Sequence, residues 1–133
     1  MPSASILFVD DERDILDLAV LALREAGYTV QPASNGDIAL VFLEQGLKFK
    51  LLVTDVVMPG VLDGYALARR ARELLPGLPV IYTTGFSRVA SIRSPGAPHG
   101  TTLPKPWRPS ELLRLVHSLL PQPAEPEKNP HLL

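Results

Sequence analysis

The chain contains no cysteine, which excludes disulfide stapling, thiol nucleophiles and any Cys-ligated zinc site. An excess of charge of either sign is also missing: 13 Lys and Arg face 14 Asp and Glu, for a formal net charge of −1. Such a surface supplies no basic field for nucleic acid or an anionic membrane, and neither is expected as a direct partner. No apolar run approaches the ~20 residues that cross a bilayer. Met1-Pro2-Ser3-Ala4-Ser5 leads straight into a strand pattern without the basic and apolar segments of a signal peptide, so a cytoplasmic location is expected. The glycines form no phosphate-cradling pattern, and His99, His117 and His131 have no metal-ligating partner at usable spacing. What is present is the composition of an ordinary globule, with 133 residues of which 46% are hydrophobic and 20% charged, enough for one domain with a real core.

The most informative stretch is Leu51-Leu52-Val53-Thr54-Asp55, an apolar run that stops on a carboxylate and is followed by Val56-Val57-Met58-Pro59-Gly60. A short leucine- and valine-rich run without polar alternation reads as a strand buried on both faces, the mark of a parallel sheet. A charge fits only at the carboxyl end of such a strand, where open α/β sheets keep their ligand crevices.

Similar units precede and follow it. Ile6-Leu7-Phe8-Val9 is a buried-strand run ending on Asp10-Asp11-Glu12. Helical spacing of Ile15, Leu18, Ala19, Ala22 and Leu23 predicts a helix over 14–26, stopped by Gly27 where a left-handed cap is wanted. Tyr28-Thr29-Val30 is expected as the second strand, and Ser34 or Asn35 as the cap of a helix running through Glu44. A third helix is predicted over 64–75 with Ala66, Leu67, Ala71 and Leu74 inward, then a fourth strand over Val80–Thr84. Ser87 can start about two helical turns before Pro95, Gly96 and Pro98 forbid continuation, so the fourth helix is expected to be short or irregular. Thr101–Leu103 is a short fifth strand running into Pro104-Lys105-Pro106, and Pro109 opens a closing helix. Residues 121–133 are a proline-rich, polar tail expected to be disordered, which leaves one domain over 1–120.

Strand and helix thus alternate about five times, the pattern of a doubly wound α/β domain with a parallel sheet and helices on both faces. In that architecture Asp10, Asp11, Asp55, Thr84 and Lys105 fall at strand ends along one edge. Clustered carboxylates repel one another unless a cation sits among them, and carboxylates with waters and a backbone carbonyl suit Mg²⁺. Asp55 can then act as a nucleophile toward phosphorus, with Lys105 neutralising charge and the Thr84 hydroxyl donating a hydrogen bond. Singly, each piece has an ordinary explanation: a solvated helix start, a turn former, a strand-end hydroxyl, a loop lysine. Their joint placement after strands one, three, four and five is what gives them meaning.

This set resembles the receiver domain of two-component response regulators, with an acidic pair after strand one, Asp-x-x-Met-Pro after strand three, Thr-Gly after strand four and Lys-Pro after strand five. The resemblance covers residues 5 to about 120. It implies a five-stranded flavodoxin-like fold of strand order 2-1-3-4-5. It implies that Asp55 accepts a phosphoryl group from a phosphohistidine on a histidine kinase or histidine phosphotransfer protein, and that a downstream protein target reads the result. Asp11, Asp55 and the main-chain carbonyl of Val57 would ligate Mg²⁺, Asp10 would take part through water, Thr84 and Lys105 would contact the phosphoryl, and the Lys105-Pro106 peptide would be cis. Two departures stand out. The family often carries Tyr or Phe three residues before the lysine, where this chain has Thr102. The apolar Val57 and Phe86 flank the site two residues beyond Asp55 and Thr84, where they would leave a hydrolytic water unoriented.

The expected role is a phosphorylation-dependent signalling switch, as a stand-alone receiver or the receiver segment of a hybrid histidine kinase, acting catalytically on itself alone. The alternatives are a receiver-like interaction module that takes no phosphate, and a Mg²⁺-dependent phosphohydrolase. The latter's haloacid dehalogenase type needs a second acid where Val57 stands.

Overall fold

The apolar runs become strands and the amphipathic stretches between them helices in a computed structural model that describes residues 5–85 and 98–120. The order is β1 (Ile6–Val9), α1 (Arg13–Glu25), β2 (Val30–Ala33), α2 (Gly36–Glu44), β3 (Leu51–Asp55), α3 (Gly64–Leu74), β4 (Val80–Gly85), β5 (Thr101–Lys105) and α4 (Pro109–Leu119). All strand pairs are parallel and the sheet runs β2-β1-β3-β4-β5, as the family resemblance implied. The irregular helix expected from Ser87, the side chain of Phe86 and the tail from residue 121 lie outside the described residues.

Side chains alternate across the sheet and so feed two cores. Ile6, Phe8, Leu51, Val53, Ile81 and Leu103 face α1 and α4, meeting Leu16, Ala19, Leu23, Leu112 and Val116. Leu7, Val9, Leu52, Val80 and Tyr82 face α2 and α3, meeting Ala39, Leu43, Leu67, Ala68 and Ala71. Burial on both sides explains why β1 and β3 read as unbroken apolar runs rather than alternating ones. Trp107 and Tyr82 are packing residues, as the sequence suggested: Trp107 meets Phe8 edge-on at a centroid distance of 6.2 Å, and Tyr82 meets Tyr65 at 4.9 Å. His117 packs too, its Nδ1 lying 2.9 Å from the Tyr28 hydroxyl.

Helix ends follow local chemistry. Asn35 rather than Ser34 caps α2, its side chain accepting from Ile38 N at 2.8 Å. Asp63 does the same for α3 with Ala66 N at 2.8 Å. Gly27 after α1 has φ +98°, a left-handed conformation that glycine alone adopts without cost.

The structure corrects two expectations. The second strand is Val30–Ala33, not Tyr28–Val30. It includes Pro32 because β2 is an edge strand, whose outer side needs no amide donor; β5, the other edge, carries Pro104 in the same way. Leu74, expected inward, is 40% exposed. The buried face of α3 runs instead through Gly64, Tyr65, Leu67, Ala68 and Ala71, which leaves Leu74 at the rim of the last turn.

Leu112 is fully buried between α4 and the sheet whereas Val61 is 87% exposed. Urea unfolding should therefore show Leu112→Ala losing about 2–5 kcal/mol and Val61→Ala changing by less than about 0.5 kcal/mol.

Candidate functional site

The parallel order brings the carboxyl ends of β1, β3, β4 and β5 to one edge, and with them the polar residues singled out above. Asp10 follows β1 directly; its side chain is fully buried, and its Oδ1 accepts from Glu12 N at 2.8 Å. That bond turns the chain into α1 and leaves Oδ2 facing the crevice. Asp11, next in the chain, is exposed. Asp55 ends β3, only 6% exposed. Lys105 ends β5, and its Nζ reaches across β4 to Asp55 Oδ2 at 3.0 Å as a hydrogen bond. The same Nζ lies 3.0 Å from Asp10 Oδ2, an ion pair that is less well aligned, since Asp10 Oδ2 has no hydrogen-bond partner among the described residues. The Lys105-Pro106 peptide is cis, as the resemblance implied.

One ammonium thus serves two buried carboxylates with a third beside them. Burial raises Asp55 and Asp10 above the ordinary aspartate value of 3.8, and Lys105 offsets this only in part. Burial alone would lower Lys105, but its contacts with Asp55 and Asp10 outweigh that and raise it. Asp10, Asp11 and Asp55 each offer one carboxylate oxygen, and these oxygens lie within 4.8 Å of one another. One small hard cation placed among them could touch each directly or through a bound water, so the donor set fits a divalent ion of the Mg²⁺ type.

Thr84, at the end of β4, is buried with its Oγ1 lacking a hydrogen-bond partner among the described residues, and so is Thr83. A buried hydroxyl left unsatisfied is costly, so each is a donor in waiting. Val57 lies two residues past Asp55 with its side chain 70% exposed. Thr102, on the edge strand β5, is also exposed.

Several supporting groups were not visible in the sequence. Asp55 O accepts from Thr54 Oγ1 at 2.9 Å, Val56 N donates to Thr83 O at 3.0 Å, and Gly64 N donates to Val56 O at 2.8 Å. A threonine inside a strand and a glycine opening a helix give no signal of such roles; only the register and the return of α3 do.

The chain matches the family model of the response regulator receiver domain over residues 6–117. It belongs to that family. It is 39% identical over 116 residues to the response regulator receiver protein CpdR of Brucella abortus, covering 86% of this chain and 95% of that protein. It is 36% identical over 120 residues to the sensor kinase CckA of the same organism, covering 89% of this chain but 13% of that much longer one. Among solved structures, the response regulator TrrA of Thermotoga maritima, in complex with Mg(2+)-BeF, is 33% identical with a TM-score of 0.75 over 86% of this chain and 97% of that one.

The raised carboxyls give a pH prediction. A raised folded-state value contributes stability that is full below the unfolded value near 3.8 and is lost as pH rises through the folded one. Without divalent cations, Asp10→Asn should therefore melt above the wild type at pH 7, with the gain shrinking toward zero below about pH 3.8. Differential scanning fluorimetry across pH checks this.

Proposed function

We propose that this receiver domain accepts a phosphoryl group on Asp55 from a phosphohistidine of a histidine kinase or histidine phosphotransfer protein, and so acts as a two-component signalling switch. The observation that carries the reading is the placement of Lys105 Nζ at 3.0 Å from both Asp55 Oδ2 and Asp10 Oδ2, with Asp11 completing an acidic trio. No purely structural need calls for two buried carboxylates beside a third.

In the transfer, an Asp55 carboxylate oxygen attacks phosphorus, the P–O bond forms as the P–N bond of the phosphohistidine breaks, and the departing imidazole takes up a proton. Asp10, Asp11 and Asp55, with the Val57 carbonyl, would hold Mg²⁺, which supplies charge neutralisation to the transferring phosphoryl oxygens. Lys105 supplies a second positive charge and a hydrogen bond on the side of β5. Its bond to Asp55 holds the carboxylate oriented before the donor arrives and is exchanged for one to the new phosphoryl oxygens. The buried Thr84 hydroxyl, without a hydrogen-bond partner among the described residues, would donate to the same group, which would tie modification of Asp55 to movement of the β4 end. The exposed Thr102 offers no ring to follow that movement, so the signal would leave through the β4–β5 edge itself to a downstream protein.

The domain acts catalytically on itself alone. A receiver unit over 1–120 working in the cytoplasm fits both kinds of relative, the CpdR-like receiver protein and the receiver segment of a CckA-like kinase. No helix among the described residues is long and apolar enough to cross a membrane.

With acetyl phosphate and Mg²⁺, intact-mass spectrometry should show one added phosphoryl group on the wild type and none on Asp55→Asn. Lys105→Ala should take it up roughly a hundredfold more slowly, the scale on which losing one preorganised donor to developing charge is felt. An unmodified wild type, or a modified Asp55→Asn, would remove the reading. The apolar Val57 beside the site should leave the attacking water unoriented, so the phosphoryl group should be lost more slowly from the wild type than from Val57→Asn. Equal or faster loss from the wild type would discard that role for Val57.

A further inference from the structure

The function proposed above depends on where the Asp55 carboxylate stands relative to Lys105 and the Asp10-Asp11 pair, and the main chain at that point is gripped on several sides. Asp55 O accepts from the Thr54 hydroxyl at 2.9 Å. The following amide, Val56 N, donates to Thr83 O at 3.0 Å, and Val56 O accepts from Gly64 N at 2.8 Å. The remaining side is closed by Gly64 itself, the first residue of α3. A Cβ placed there would lie 2.2 Å from Asp55 O, 2.8 Å from Val56 Cα and 3.0 Å from Asp55 C. All three are main-chain atoms, so no side-chain rotation can make room. Among the described residues the positive-φ glycines are Gly27, Gly46, Gly60 and Gly77. Gly64 is not among them, and its missing side chain is therefore a demand of space and not of backbone angle.

Gly36 is a natural foil. A Cβ there would lie 2.7 Å from Leu62 O and 2.9 Å from Leu62 Cβ. This is the same kind of crowding between the start of a helix and a main-chain carbonyl, milder by 0.5 Å at the nearest atom (2.7 against 2.2 Å) and not against the Asp55 peptide.

We infer that Gly64 is a positioning residue for phosphoryl acceptance: its bare α-carbon lets α3 seat directly on the Asp55–Val56 peptide and so fixes the acceptor carboxylate. The inference rests on Asp55 being the acceptor. A methyl group at position 64 must push the Asp55 carbonyl away, and that carbonyl cannot retreat without straining its bond to Thr54. The displacement passes to the carboxylate, whose bond to Lys105 Nζ is 3.0 Å long. The peptide shift acts on the geometry of attack, so it should lower the saturating rate of uptake more than it changes the concentration of donor needed for half that rate.

The test compares wild type, Gly64→Ala and Gly36→Ala for uptake from acetyl phosphate in Mg²⁺, beside their melting temperatures. Both variants should melt lower than the wild type. The saturating rate should fall at least ~tenfold in Gly64→Ala and stay within ~twofold in Gly36→Ala, since misplacement of a reacting group by about 1 Å costs up to about a hundredfold. If Gly64→Ala takes up the phosphoryl group as fast as Gly36→Ala while the wild type is modified normally, the positioning role is overturned. If the wild type itself stays unmodified, it is the acceptor assignment that fails. Should Gly64→Ala be unfolded in plain buffer, trimethylamine N-oxide restores the compact state. The three rates are then compared in that osmolyte, where equal rates for the two variants again overturn the positioning role.

Discussion

Two buried carboxylates share a single ammonium at the carboxyl edge of the sheet, with an exposed third beside them, and much of the molecule's arrangement serves that imbalance. Asp10 and Asp55 are held where water cannot screen them, and both are pushed above the ordinary aspartate range by burial. Stability alone does not account for charges held at such cost, because an apolar pair of similar volume would serve it as well or better. The deficit of positive charge leaves a set of oxygen donors that fits a small divalent cation, which is what the proposed phosphoryl acceptance calls for.

The fold supplies the alignment this requires. β3 lies between β1 and β4, so Asp55 has the end of β1, which leads into Asp10, on one side and Thr83 in register with it on the other, with Thr84 next along β4. Lys105 comes from β5, beyond β4, and only a long flexible side chain spans that gap. Behind the carboxylate, the Asp55–Val56 peptide is fixed by Thr54, Thr83 and Gly64. The Asp55 carboxylate thus sits at the end of a strand and is held by the chain that follows it, while Asp10 Oδ2 and the hydroxyls of Thr83 and Thr84 have no hydrogen-bond partner among the described residues.

Much of this was legible in the sequence for physical reasons. Buried parallel strands leave apolar runs that cannot be mistaken for loops, and a carboxylate or lysine at the end of such a run can lie only at its edge. Asp10, Asp11, Asp55, Thr84 and Lys105 could therefore be placed together from the order of the runs alone. β2 was harder to bound. As an edge strand it tolerates Pro32, so its sequence Val-Gln-Pro-Ala lacks the signature of the inner strands, and the more apolar Tyr28-Thr29-Val30 looked the better strand. Leu74 misled because helical spacing gives a direction around the axis but does not say where the covering layer ends. The grip on the Asp55 peptide was invisible, since close approach of a helix start to a distant main-chain carbonyl leaves in the sequence only a glycine.

The most direct test of the central claim is chemical location of the modified side chain. An aspartyl phosphate is reduced by borohydride to homoserine, which peptide mass spectrometry can place to a single residue. After exposure to a phosphoryl donor, homoserine should appear at position 55, in the presence of Mg²⁺ and not when it is chelated. Homoserine at position 10 or 11, or at position 55 regardless of the metal, would contradict the account.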